Sequence, residues 1–179
     1  MVYNELEVVQ NGGKIHKSGE FGNRHAQGRK YFQRKVVAGM LTGEYRHTLD
    51  PKNRIFIPAK HRDELGATFV IARDIRENCL KLYSLEGWAN YIAPIKQLDR
   101  SLAERTLRFL HRNASQVTPD AQGRVILPTA LIEHARIQKG VVVVGCSDYD
   151  EIWAEEMYDT SVQEENPEEI RAALEKCGL

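Results

Sequence analysis

The sequence predicts a strand-rich α+β fold: two copies of one small β-α-β repeat form a pseudo-twofold domain, with linking helices. Three observations carry this. A run around Asp50 recurs 70 residues further on. Short β-prone apolar runs alternate with turn residues throughout both copies. In each copy a proline directly follows a strand, where it suits the start of a helix.

The repeat is legible residue by residue. Leu49-Asp50-Pro51-Lys52-Asn53-Arg54-Ile55-Phe56-Ile57-Pro58 returns as Pro119-Asp120-Ala121-Gln122-Gly123-Arg124-Val125-Ile126-Leu127-Pro128. Leu82-Tyr83 and Trp88 meet Ile152-Trp153 and Tyr158 at the same offset of 70. The runs Phe69–Ala72 and Val141–Val144 align only with a slip of two residues, which predicts a shorter loop in the second copy.

Each element then follows in order. Glu44–Thr48 and Ile55–Ile57 read as strands flanking a tight hairpin turn. Asp50 and Asp120 open that turn, because an aspartate side chain bonds the backbone two residues on. The fourth position, Asn53 or Gly123, is a residue type that tolerates positive φ. Pro58 is expected at the first position of a helix running to about Leu65, with Gly66 as its left-handed terminator. A strand (Phe69–Ala72 or Val141–Val144), a polar turn and a fourth strand (Leu80–Tyr83 or Glu151–Trp153) complete the unit. Four short strands bury too little area to stand alone, so the two copies are expected to share a core. Ser84 caps a helix beginning near Leu85, anchored by Trp88 and Tyr91. A second helix over Ser101–Arg112 has Leu102, Thr106, Phe109 and Leu110 on one face. Arg100, Arg105, Arg108 and Arg112 lie on another, either as a solvated face or as a secondary DNA or subunit contact. At the end of the chain, Asn166-Pro167-Glu168-Glu169 is a helix start, and the helix runs to about Lys176. It serves as a subunit contact or as a solvated appendage.

The expected organisation is a disordered extension or mis-assigned start (1–39), a first repeat (43–86), a helical linker (87–113), a second repeat (114–157) and an acidic tail with a short helix (158–179). The zero net charge conceals opposed blocks. Residues 1–39 hold seven Lys/Arg against three acids, 40–154 hold 16 against 14, and 155–179 hold two against eight. The basic residues of the first block are open to two accounts, a DNA-steadying arm or untranslated leader ahead of Met40.

At 179 residues, 42% hydrophobic and 28% charged, the composition is that of a globular protein. No stretch approaches the roughly 18 unbroken apolar residues of a membrane span, and no signal-like leader opens the chain. Cys79, Cys146 and Cys177 lack the pairing or spacing of a disulfide framework or zinc site, and read as small packing or incidental thiols in a reducing cytosol. No phosphate-binding glycine loop, metal-spaced histidine cluster or nucleophile motif appears, so neither an enzyme nor a cofactor or small-molecule substrate is expected. His47 and His61 read as surface or packing residues.

Gly43–Asp50, Arg54–Lys60, Leu82–Trp88, Asp120–Arg124, Val144-Gly145 and Glu151–Trp153 together resemble the MraZ family over about residues 40–160. The doubled Asp-x-x-x-Arg, each with a proline four residues past its arginine, makes the resemblance specific. It implies two AbrB-like swapped-hairpin (SpoVT-AbrB) repeats and a ring-like homo-oligomer. It also implies a cytoplasmic, nucleoid-associated regulator that binds short direct DNA repeats upstream of its own operon, a cluster for cell division and cell-wall synthesis. The family's DNA-reading loops map onto Asp50–Arg54 and Asp120–Arg124. Asn53 departs from the glycine usual there, a change the left-handed region tolerates.

Arg54 is expected to be the main contact to double-stranded DNA, assisted by Lys52, Asn53, Arg124, Arg46 and Lys60, while Asp50, Asp120 and Gly123 shape the turns. The first copy is favoured by charge: five Lys/Arg against two acids over 44–62, against one over two in 114–134. The residues leave a second role open, in which both arginines only bridge to the aspartates. A different class, an antitoxin or protein-interaction module of the same fold, also stays open.

Overall fold

The computed structural model describes residues 40–179; expectations for 1–39 lie outside the described residues. Among the described residues, eight strands and six α-helices follow one another as two similar series. The first is β1 (Leu41–Thr48), β2 (Arg54–Phe56), α1 (Ala59–Leu65), β3 (Phe69–Arg73) and β4 (Leu80–Ser84). Linking elements come next: α2 (Leu85–Ile92), a 3₁₀ turn (Ala93–Gln97) and α3 (Arg100–Arg112). The second series is β5 (Ala114–Val117), β6 (Arg124–Ile126), α4 (Thr129–His134), β7 (Gly140–Ser147) and β8 (Asp150–Ala154), followed by α5 (Glu155–Glu164) and α6 (Pro167–Lys176).

The strands interleave across the repeats. Six form an antiparallel sheet in the order β1-β7-β8-β4-β3-β5, and β2 pairs with β6 in a separate two-stranded ribbon. Exchanging the repeats (β1 for β5, β3 for β7, β4 for β8) returns the same order. The register obeys the same exchange. Ile55 faces Val125 with Arg54 opposite Ile126 and Phe56 opposite Arg124, while Lys81 faces Glu151 with Leu80 opposite Ile152. The pseudo-twofold axis therefore runs between Ile55 and Val125 and between Lys81 and Glu151. The expectation of a hairpin between the strands flanking Asp50 is corrected here. β1 pairs with β7, and β2 with β6, so both partners come from the other copy.

Strand alternation gives the sheet two buried faces. Phe69, Ile71, Leu80, Leu82, Val141, Val143 and Ile152 pack with Ile55, Ile57, Val125 and Leu127 into the main core. Val70, Ala72 and Tyr83 face the other way, against Trp88 and Leu110 of the linking helices. The two-residue slip resolves as foreseen: residues 74–79 join β3 to β4, whereas only 148 and 149 join β7 to β8.

Several boundaries move for local reasons. Pro58 and Pro128 have extended ψ values of 138° and 139° and stand as caps, so the helices begin at Ala59 and Thr129. Ser84 caps α2 through a 2.9 Å bond from the Gly87 amide, as expected, whereas α3 starts one residue early because Asp99 caps it. Of the apolar face expected on α3, Leu110 is buried and Thr106 and Phe109 are half-buried, but Leu102 is exposed, and Ala103 and Leu107 are half-buried as well. Helix α5 was not foreseen. It continues β8 as α2 continues β4, so the repeat itself was its signal.

Candidate nucleic-acid interface

Each Asp-x-x-x-Arg segment folds as the same turn. Asp50 Oδ1 accepts the amides of Lys52 (2.8 Å) and Arg54 (3.0 Å), and the backbone closes through Asp50 N to Arg54 O and Asn53 N to Asp50 O. Asp120 does the same with Gln122 and Arg124, both at 2.9 Å. The fourth residue is left-handed in each, φ 58° at Asn53 and 78° at Gly123. Its carbonyl then reaches the other repeat: Leu127 donates to Asn53 O and Ile57 to Gly123 O. The two turns are thereby stitched side by side across the pseudo-twofold axis.

Parity along the ribbon fixes what faces outward. Ile55 and Val125 turn into the core, so Arg54, Phe56, Arg124 and Ile126 share the opposite face. Both arginines are drawn over their own aspartate. Arg54 gives Nε and Nη2 to Asp50 Oδ2, each at 2.7 Å, and Arg124 gives Nε and Nη2 to Asp120 Oδ2 at 2.9 and 2.8 Å. Arg54 Nη1 also lies 3.9 Å from Asp120, which links the loops. Their side chains keep 24% and 29% exposure, so neither arginine is fully buried. The arginine donors, first among several causes, hold both aspartates down at about pKa 2. The aspartate thus shapes the turn through Oδ1 and aims the arginine through Oδ2.

Residues 40–109 and 110–176 each match the family model described as "MraZ protein, putative antitoxin-like". The chain belongs to the MraZ family. It is 43% identical over 122 residues to the "Transcriptional regulator MraZ" of Thermoanaerobacter sp. (strain X514), covering 67% of this chain and 85% of that protein. Proteins of the same name from Moorella thermoacetica and Caldicellulosiruptor saccharolyticus are 40% identical over 139 residues and 37% over 144. These alignments cover 76% and 78% of this chain and 96% and 100% of theirs.

Around the paired turns, this MraZ-family chain distributes its other expected site residues unevenly. Lys52 and Lys60 are exposed, and Asn53 is half-buried. Arg46 is engaged elsewhere. It bonds Glu44 and Glu155 at 3.0 Å and Asp159 at 2.8 Å, and it lies over the Tyr158 ring. Sequence reasoning missed this because both α5 acids lie more than a hundred residues away. Arg62 was also missed: its Nε donates to Ile57 O, and its guanidinium covers Gly123 and the Phe56 ring. A Cβ at position 123 would come within 2.7 Å of that guanidinium, so Arg62 would have to shift, and the positive φ favours glycine there in any case.

Proposed function

We propose that this chain is a DNA-binding transcriptional regulator whose interface is the paired Asp-x-x-x-Arg turns. The observation that carries this reading is the stitched pair of turns, which brings Arg54 and Arg124 onto one outward face of the ribbon. A guanidinium offers five donors in a planar fork. In each turn Nε and Nη2 hold an aspartate, which leaves Nη1 of Arg124 for phosphate or a guanine edge, while Nη1 of Arg54 would be drawn off Asp120, 3.9 Å away, to do the same. Lys52 and Lys60 supply further positive charge beside the first turn, and Asn53 offers an amide. Arg46 is left out of the interface, because three carboxylates already satisfy its donors.

On this reading the target is double-stranded DNA in short direct repeats upstream of the protein's own operon, a cell-division and cell-wall gene cluster. The acting species is a ring-like homo-oligomer at the nucleoid in the cytoplasm. One chain presents few cations, and repetition in both partners multiplies a weak contact through effective concentration. The role is binding, not catalysis.

The test is Arg54→Ala and Arg124→Ala, each assayed for melting and for affinity to a duplex spanning the region upstream of the protein's own gene. The expected result is weakened binding with little change in melting. Wild-type affinity should also fall with salt at a log–log slope of about −0.9 per neutralised phosphate. Loss of folding in both variants with a flat salt response would leave the arginines as turn braces only.

A further inference from the structure

Where the pseudo-twofold axis relates one buried site to another, one pairing of the core is polar in one half and apolar in the other. One half places Leu80 of β4 and Leu131 of α4 in the main core. The related positions hold Asp150 of β8 and His61 of α1, both with no exposure. His61 Nδ1 lies 2.8 Å from Asp150 Oδ1, and His61 Nε2 lies 3.0 Å from the Thr42 carbonyl of β1. A carbonyl only accepts, so Nε2 carries a hydrogen and donates it. A 2.8 Å approach of Nδ1 to Oδ1 calls for one further proton between them, because two lone pairs repel, whether the pair is written as imidazolium and carboxylate or as imidazole and carboxylic acid. Either form is neutral overall, as a site without water requires.

Removing that proton leaves a buried carboxylate facing a nitrogen lone pair, unless the ring's remaining proton moves to Nδ1 and leaves Nε2 with no hydrogen to give the Thr42 carbonyl. Nothing else compensates the carboxylate: among the described residues neither Asp150 oxygen has a partner in hydrogen-bond geometry, and the 2.8 Å approach of His61 Nδ1 to Oδ1 stands alone. Burial pushes the Asp150 carboxyl up, and His61 opposes the shift. The other titratable groups facing the pair are Tyr45 of β1, whose ring meets the imidazole edge-on at 4.9 Å, and Cys146 of β7. Glu151 is the next residue on β8 and pairs with Lys81. With a raised carboxyl, the sign is fixed: the contribution of the pair is present at low pH and is lost as pH rises.

The contact to Thr42 marks what the pair holds. β1 runs over Leu41–Thr48, whereas its counterpart β5 covers only Ala114–Val117, so residues 41–43 extend the strand in the first repeat, while the related 111–113 lie at the end of α3. They lie on an edge strand, bonded on one side to Gly145, Cys146 and Ser147 of β7. Leu41 is buried there, and a side chain on Gly145 would collide with the Thr42 backbone.

We propose that His61 and Asp150 form a proton-dependent latch that keeps the Leu41–Gly43 end of β1 docked on β7, a device β5 lacks. Loss of the shared proton frees that end and uncovers the β7 edge. The test is hydrogen exchange of the full chain at about pH 5.5 and about pH 8.5, corrected for intrinsic rates. Protection at residues 41–43 and 145–147 should fall at the higher pH by about tenfold more than protection in β5. Asp150→Asn donates to Nδ1 without titrating, so it should keep the end protected at both values. A double variant, His61→Leu with Asp150→Leu, copies the other half and should leave the end open at both. A wild-type response that is flat, or equal at β1 and β5, overturns the latch, as does a wild-type pH response persisting in either variant.

Discussion

The turn at Asp50 and the turn at Asp120 share their hydrogen bonds nearly atom for atom, yet their surroundings differ. Both use one aspartate oxygen for the backbone and the other for the arginine. Around that frame, Lys52 stands where the second copy has Gln122, Lys60 where it has Ala130, and Arg62 where it has Ile132. Arg54 senses two aspartates, whereas Arg124 pairs with one. The same contrast runs into the core, where a polar pair in one half meets two leucines in the other. Duplication followed by divergence has kept the residues that hold the backbone and varied the charges placed on it. The cations differ between two copies of the same turn, whereas the aspartate is the same and the left-handed position holds asparagine or glycine, the residue types that tolerate it.

Breaking the contrast in the core should have the largest effect. Leu80→Asp puts a carboxylate opposite Leu131, with no histidine to share a proton, and should cost on the order of 3–5 kcal/mol by urea unfolding at neutral pH. The turns come next. Gly123→Ala forces a left-handed alanine and pushes Arg62 off its bond to Ile57 O, so a loss of about 1–2 kcal/mol is expected. Asn53→Gly, which makes the first turn like the second, should stay within about 0.5 kcal/mol of wild type in the same measurement. If the two substitutions cost the same, the account of Arg62 fails.

Smaller effects concern binding. Lys52→Gln should make the salt dependence of DNA affinity shallower by about 0.9 in slope, and Gln122→Lys should steepen it by a similar amount. Unchanged slopes would remove these positions from the interface. Finally, NMR titration should find Asp50 and Asp120 ionising together at about pH 2, well below the ordinary 3.8. Because both values are depressed, the turns stay intact through mild acid and loosen only as pH falls through about 2. A midpoint near 4 for either would show that its arginine is not held over it in solution.

Much of this architecture was legible in the sequence because the repeat carries it. The offset of 70 located the turns, the caps at Ser84 and Asn166 located two helices, and the two-residue slip located the shorter connection. Which strand pairs with which was not legible from the turn. Asp50 and Asn53 specify that the chain reverses, but the partners of β1 and β2 are chosen by the shared core, about seventy to a hundred residues away. The same limit hid the acids around Arg46 and the burial of His61. Local pattern cannot say whether a histidine meets water or a carboxylate 89 positions on. A sharper signal was available in the alignment of the copies, where His61 and Asp150 fall on Leu131 and Leu80. Polar residues at two positions that the sister repeat fills with leucine invite a search for a bond between them.

The interleaved strands also govern how the molecule can be divided. A peptide-bond break between α3 and β5 would give two fragments, neither holding a complete sheet. The amino-terminal piece would lack the partners of β1 and β2, and the carboxy-terminal piece those of β5 and β6. Each fragment carries the missing strands of the other, so co-expressed halves should recover the fold by complementation where either alone would not.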